Sequence, residues 1–236
     1  DNSQGVNGWT VQGWYRTGPN AGKLSHAGVQ TAMIDSEPGM FAIALPGDAH
    51  HDLLGFGPQG GPYPPQVLYE DVDPNGADLF GARLKVPYTL GGRVTFNDLG
   101  APGTLFLLEQ HNDPRLEAEA SAGTDGTYQV QVRAGAWDLE VVPSAAAFNQ
   151  GAAAYLHPDY SLYTDKTLDI ALARAEQVTF TGRIEDIRGQ PVTDATVRLL
   201  LDQAVMNEGD YSTCDTQPAS TDATGTFNIR CNILPP

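Results

Sequence analysis

Three stretches of the chain carry one hydrophobic pattern: a glycine, a free position, an aromatic, then apolar residues at every second place. They read Gly39-Met40-Phe41-Ala42-Ile43-Ala44-Leu45, Gly126-Thr127-Tyr128-Gln129-Val130-Gln131-Val132 and Gly225-Thr226-Phe227-Asn228-Ile229-Arg230-Cys231, with starts 87 and 99 residues apart. A period of two puts alternate side chains on one face, so each copy predicts a strand that buries one side. The spacing between copies is that of a small β-sandwich unit.

Around the third copy the pattern is clearest. Thr181-Gly182-Arg183-Ile184 predicts a first strand, Arg188-Gly189-Gln190-Pro191 a tight turn, and Ala195-Thr196-Val197-Arg198-Leu199 a second strand. Asp222 to Gly225 then turns the chain into the repeated strand. Around the second copy, Gly92-Arg93-Val94 matches Gly182-Arg183-Ile184, and Gly100-Ala101-Pro102 matches Gly189-Gln190-Pro191. Leu105 to Leu108 forms the second strand there, and Gly135 to Pro143 a later one with Trp137, Leu139 and Val141 on one face. The first copy is more divergent, with Val11 to Trp14, Gly28 to Ile34 and Leu53 to Pro58 as its strands.

Leu79-Phe80-Gly81-Ala82-Arg83-Leu84 parallels Leu168-Asp169-Ile170-Ala171-Leu172-Ala173, which sets boundaries near Pro87 and Ala175. The expected organisation is therefore 1–87, a divergent β-sandwich repeat; 88–175, a β-sandwich repeat; and 176–236, a repeat lacking its last strands. The third falls short because 11 residues follow Gly225. The fold class expected is all-β: tandem β-sandwich domains, the third incomplete.

This order of Gly-x-Val/Ile, a Gly-x-Pro turn, an alternating strand, an Asp-x-Gly-type turn and Gly-x-aromatic-x-Val/Ile resembles the carboxypeptidase regulatory-like domain family. The likeness runs best over Phe180 to Cys231, then over Leu90 to Pro143, and least over Val11 to Pro58. It implies that the tandem domains are small immunoglobulin-like/transthyretin-like β-sandwiches acting as a non-catalytic module of secreted proteins, surface lipoproteins or peptidase accessory regions. It carries over no catalytic residues.

Composition supports the all-β reading: charged residues are 18%, and 26 Gly and 17 Pro supply many turns. The net charge of −16 argues against nucleic acid or an anionic membrane face as partner, since both need a basic surface. The chain has no transmembrane run and no direct membrane insertion is expected. Its polar opening, DNSQGVNG, reads as a trimmed mature start or a linker. Cys214 precedes the loop leading to the strand that holds Cys231, so adjacent strands would bring the two within disulfide distance. The alternative is two separate buried thiols. A disulfide would place the protein in an oxidising setting: extracellular, cell surface or periplasmic.

Candidate chemistry is sparse. None of the five histidines, His26, His50, His51, His111 and His157, has the Glu spacing of a metallopeptidase, and no nucleophile elbow or phosphate loop occurs. His50-His51-Asp52 is the densest group of metal-capable side chains, and it reads as an exposed turn entering Leu53-Leu54. Asp71-Val72-Asp73-Pro74-Asn75-Gly76 matches the opening of a calcium loop, with Asp78 adding charge. Ala82 stands where an EF-hand has its Glu, so the candidate is a looser structural calcium site on Asp71, Asp73, Asn75 and Asp78. The same residues also suit a plain turn. Tyr155, Tyr160 and Tyr163 form a candidate sugar- or peptide-binding face, while Trp9, Trp14 and Trp137 suit cores or domain contacts.

These readings converge on a non-enzymatic structural, adhesion or assembly module of an exported protein. Its partners would be other domains of the same polypeptide or a surface assembly. The alternatives are a carbohydrate- or peptide-binding module and an accessory region of a secreted peptidase.

Overall fold

Strands begin where the alternation does. In the computed structural model, which describes residues 7–34, 37–58, 64–75, 82, 84–111, 113–199, 208–214 and 219–235, the first segment holds six of them. These are β1 (Thr10–Tyr15), β2 (Leu24–Gln30), β3 (Ala32–Ile34), β4 (Glu37–Met40), β5 (His51–Phe56) and β6 (Gln66–Val72). Four form an antiparallel sheet in the order β2-β1-β5-β6, and β3 pairs with β4. The register Gly13↔Leu53 and Trp14↔Asp52 gives the sheet two distinct faces. Val11 and Leu53 lie on one and form a small core with Val72, covered by Phe41, Ile43 and Leu45. Trp14, Asp52, Leu54 and Phe56 lie on the other.

The first copy of the repeated pattern departs from expectation here. Residues 41–46 make no strand; β4 ends at Met40. Phe41, Ile43 and Leu45 still reach the core, but as an irregular crossing over the sheet, because β1 and β5 already pair with each other and leave no edge between them.

The second segment contains β7 (Tyr88–Phe96), β8 (Leu99–Gly100), β9 (Leu105–Gln110), β10 (Asp113–Ser121), β11 (Thr127–Val132), β12 (Gly135–Val142), α1 (Ala145–Asn149), β13 (Ala154–Leu162), β14 (Lys166–Thr167) and β15 (Ile170–Ala171). Two sheets enclose its core. One runs β10-β9-β12-β13; the other joins β11 to β7, with β14 and β15 parallel to the far edge of β7. Trp137, Leu139 and Val141 of β12 meet Leu90, Val94, Tyr128 and Val130 in a single buried cluster. Burying each such side chain contributes about 1.5–3 kcal/mol.

The third segment has β16 (Glu176–Arg183), β17 (Thr196–Val197), β18 (Gly209–Tyr211), β19 (Thr213–Cys214), β20 (Ala219–Ser220) and β21 (Thr226–Ile233). It repeats the β7–β11 arrangement in register. Tyr128 lies opposite Gly92 as Phe227 lies opposite Gly182, and Val130 opposite Leu90 as Ile229 opposite Phe180. The turns before these strands match too. Val94 N–H donates to Gly126 O, and Ile184 N–H to Gly225 O. Gly126 and Gly225 have φ of 85° and 76°, and a Cβ on Gly126 would sit 2.3 Å from Val94 O, so no other residue suits the position.

The turn alignment expected from the Gly-x-Pro patterns shifts by two residues. Ala101 N–H donates to Val94 O and Val192 N–H to Ile184 O, which makes Gly100, not Pro102, the counterpart of Pro191. The reason is turn type: Asn97 and Asp98, both at positive φ, close a two-residue hairpin in the second segment. The third uses a longer turn closed by Asp186, whose carboxylate accepts the N–H groups of Arg188 and Gln190.

Overall the chain is all-β with several antiparallel sheets. Among the described residues no helix is long and apolar enough to cross a membrane.

Candidate functional site

Of the residues expected to hold calcium, the described ones, Asp71, Asp73 and Asn75, each meet a partner nearby. Asp71, at φ 59°, directs Oδ1 to His50 Nδ1 at 2.9 Å and lies 3.7 Å from Arg16 Nε. Asp73 Oδ1 accepts both the backbone and side-chain N–H of Asn75, which draws its carboxyl below the usual range through those bonds. Asn75 Nδ2 also donates to Gly47 O. Each of these three side chains thus has a local partner, and the Asp73–Asn75 bonds form a tight turn. Asp78 lies outside the described residues, as do Tyr63 and most of 79–84. The described residues contain no group of three or more His, Cys, Asp or Glu placed to hold a metal.

Nor do the three tyrosines share an exposed face. Tyr160 lies opposite Trp137 and Tyr155 opposite Val141, so both point to the core side of β13. A bulge between these pairs, with Asp159 at φ 54°, keeps both inward despite their odd spacing. Burial raises the pKa of each. Tyr160 stacks edgewise on His157 and carries Lys166 Nζ 4.9 Å from its ring centre. Tyr163, just past the strand, is exposed.

Cys214 and Cys231 are bonded, and they sit opposite each other on β19 and β21.

The His50-His51-Asp52 run corrects the expectation of an exposed turn: His51 is fully buried and Asp52 is 5% exposed. Both lie on β5, an inner strand, and face opposite ways. His51 meets Ser25 Oγ through Nδ1 and Pro46 O through Nε2. Asp52 faces the second segment. Its Oδ1 accepts from Arg16 Nη1 at 2.9 Å and from the Asp71 N–H at 3.1 Å; its Oδ2 accepts from Arg115 Nη1 at 3.0 Å. Arg115, on β10, is in turn held by Asp113 at 2.6 and 2.9 Å, and lies 5.9 Å from the Trp14 ring centre. Burial by itself would raise the Asp52 carboxyl, but the bonds from Arg16, Asp71 and Arg115 outweigh it and hold the pKa below the ordinary value. Around this ion cluster Leu54, Trp14, Phe56 and Val67 pack directly on the core of the second segment.

A second junction joins the second and third segments. Strand β18 pairs antiparallel with β13 and extends the sheet of the second segment by one strand. Tyr211 Oη donates to Glu140, Tyr155 Oη to Glu208, and the Ala173 N–H to Asp210. Asn232, fully buried on β21, donates through Nδ2 to Phe148 O at 2.8 Å and Ala152 O at 2.9 Å. Those carbonyls lie at and just beyond the end of α1, and Phe148 O takes the Asn232 bond in addition to the Gly151 N–H. A side chain of the third segment therefore caps a helix of the second.

Sequence reasoning missed Arg16, Arg115, Glu140, Tyr211 and Asn232. One signal was available: an aspartate inside the apolar run His51-Asp52-Leu53-Leu54 implies a buried charge, which needs cationic partners. Comparison with protein-family models and with curated protein sequences finds no match to this chain.

Proposed function

We propose that this chain is a non-catalytic spacer or assembly module of an exported or cell-surface protein, built from carboxypeptidase regulatory-like repeats at 1–87, 88–175 and 176–236. Its task is geometric: it holds whatever it is joined to at a fixed distance and angle. The observation that carries the reading is the pair of buried polar junctions. Flexible arrays connect modules through solvated linkers. Here Asp52 bridges Arg16 of its own segment to Arg115 of the next, and Asn232 caps a helix 84 residues away. Such contacts are satisfied in one relative orientation, so they fix direction as well as proximity. The start of β7 at Tyr88 and of β16 at Glu176 supports a division near Pro87 and Ala175. The Cys214–Cys231 bond supports an oxidising compartment, hence export.

Limited proteolysis with a denaturation series tests this. A rigid array resists trypsin after Lys85 and Arg174 under native conditions, and its segments unfold together. Early cutting at those two places, with separate unfolding transitions, would show hinged domains and end the spacer reading.

A further inference from the structure

We propose that β16 is an acceptor site for an extended peptide strand running parallel to it, with acidic residues alternating into an aliphatic row. The repeated register identifies the occupant. In the second segment the counterpart of β16 is β7, and its far edge is filled: Lys166 lies beside Leu90, and Ile170 beside Val94, both parallel. Leu168 N–H donates to Gly91 O and Leu172 N–H to Thr95 O. In return, Asp165 Oδ1 accepts the Thr89 N–H and Asp169 Oδ1 the Arg93 N–H, each at 2.8 Å. The chain thus closes that edge with the segment Asp165 to Leu172.

In the third segment the same edge has no partner among the described residues. Arg183 stands where Arg93 stands, Thr181 where Gly91 stands, and Thr179 where Thr89 stands. Because Ile184 N–H donates to Gly225 O, the even-numbered residues of β16 face β21 and the odd-numbered ones face outward. Among the described residues β16 pairs with β21 alone, and no partner meets the outward backbone groups of Thr179, Thr181 or Arg183. The apolar row beside the edge is uncovered as well. Phe180 is 42% exposed, whereas its counterpart Leu90 is fully buried. An edge of eight residues with unpaired donors and an exposed aromatic is a template for strand addition. The site continues the established junction, since Ala175, which donates to Gly151 O, directly precedes β16.

One difference sets a requirement. In the second segment Leu168 O lies over Gly92 and accepts the Tyr128 hydroxyl; in the third, the Phe227 ring lies over Gly182. The ring swings aside when the strand seats. None of this depends on the rigidity of the two junctions, so the spacer reading and this site stand or fall separately.

The probe is a fluorescent synthetic peptide with the sequence Asp165–Ala173, titrated into the intact chain by anisotropy. Saturable binding is expected, with new amide protection at Thr179 and Arg183. Thr179→Pro removes one outward N–H at an edge that tolerates proline, and Phe180→Glu charges the apolar row; each weakens binding by about tenfold or more. Circular dichroism and an intact disulfide verify that both variants fold. Absence of binding, equal binding of a scrambled peptide, or binding unchanged in both variants would overturn the proposal. So would concentration-dependent dimers with β16 amides protected, which would make the occupant a second copy.

Discussion

Asp52→Asn is the sharpest perturbation of the first junction, because it keeps shape and removes charge. The carboxylate is 7% exposed and holds two guanidinium groups on different oxygens. Hydrogen bonds to charged groups contribute about 1.5–3 kcal/mol each when shielded. The Arg16 bond is weakened by solvent, since that side chain is 39% exposed. The Arg115 bond, with that side chain 18% exposed, keeps about 1.5–2 kcal/mol. The asparagine retains one acceptor but turns an NH2 group toward Arg115 or Arg16. The expected loss is therefore at least about 1.5–2 kcal/mol, or roughly ten- to thirtyfold in the folding equilibrium. Urea unfolding at neutral pH reads it directly. The pH dependence supplies an internal check. The Asp52 pKa is lowered in the folded protein, so its stabilisation is present above the unfolded aspartate value near 4 and is lost as pH falls through the lower folded value. Wild type and variant should differ at pH 7 and converge in acid. A difference below about 0.5 kcal/mol at pH 7, or one that persists unchanged at pH 2, would refute the assigned role of the ion cluster.

Three further outcomes follow from the geometry. Asn232→Ala removes two buried hydrogen bonds to the end of α1 and should cost about 2–4 kcal/mol in urea unfolding, with faster amide exchange at Gln150 to Ala153. Cys214→Ser with Cys231→Ser opens a loop of 17-residue separation and should lower stability by about 3 kcal/mol in the chain-entropy model, read by thermal denaturation of the double variant beside the oxidised parent. His111 hydrogen-bonds Asp138 at 2.9 Å, which raises its pKa above the usual histidine value; NMR titration should place it there, and in Asp138→Asn it should return downward.

How much of this the sequence disclosed depends on how far apart the interacting residues are. The strands β11 and β21 were legible because alternation is a local property, and their turn glycines have no substitute at positive φ. The same alternation misled at Phe41-Ala42-Ile43-Ala44-Leu45, where small residues at alternate places let an irregular segment bury the same side chains. Periodicity reports which side is buried, not whether a ladder of hydrogen bonds runs alongside. Tyr155 and Tyr160 were misplaced because a single bulge residue, Asp159, shifts the face, and no sequence signal announced it. The junctions were the least legible. Arg115 lies 63 residues from Asp52 and Phe148 lies 84 from Asn232, and nothing within either local window names the partner. The Cys214–Cys231 pair was readable as a candidate because its partners sit 17 residues apart, on either side of one loop.

The central claim is that the three segments hold one orientation. Spin labels at Asn20→Cys in the first and Arg188→Cys in the third, both exposed, allow the distance between them to be measured by double electron–electron resonance. The account predicts one narrow distance distribution in the native protein, which broadens in Asp52→Asn combined with Asn232→Ala. A broad distribution in the native protein, unchanged by those substitutions, would contradict it.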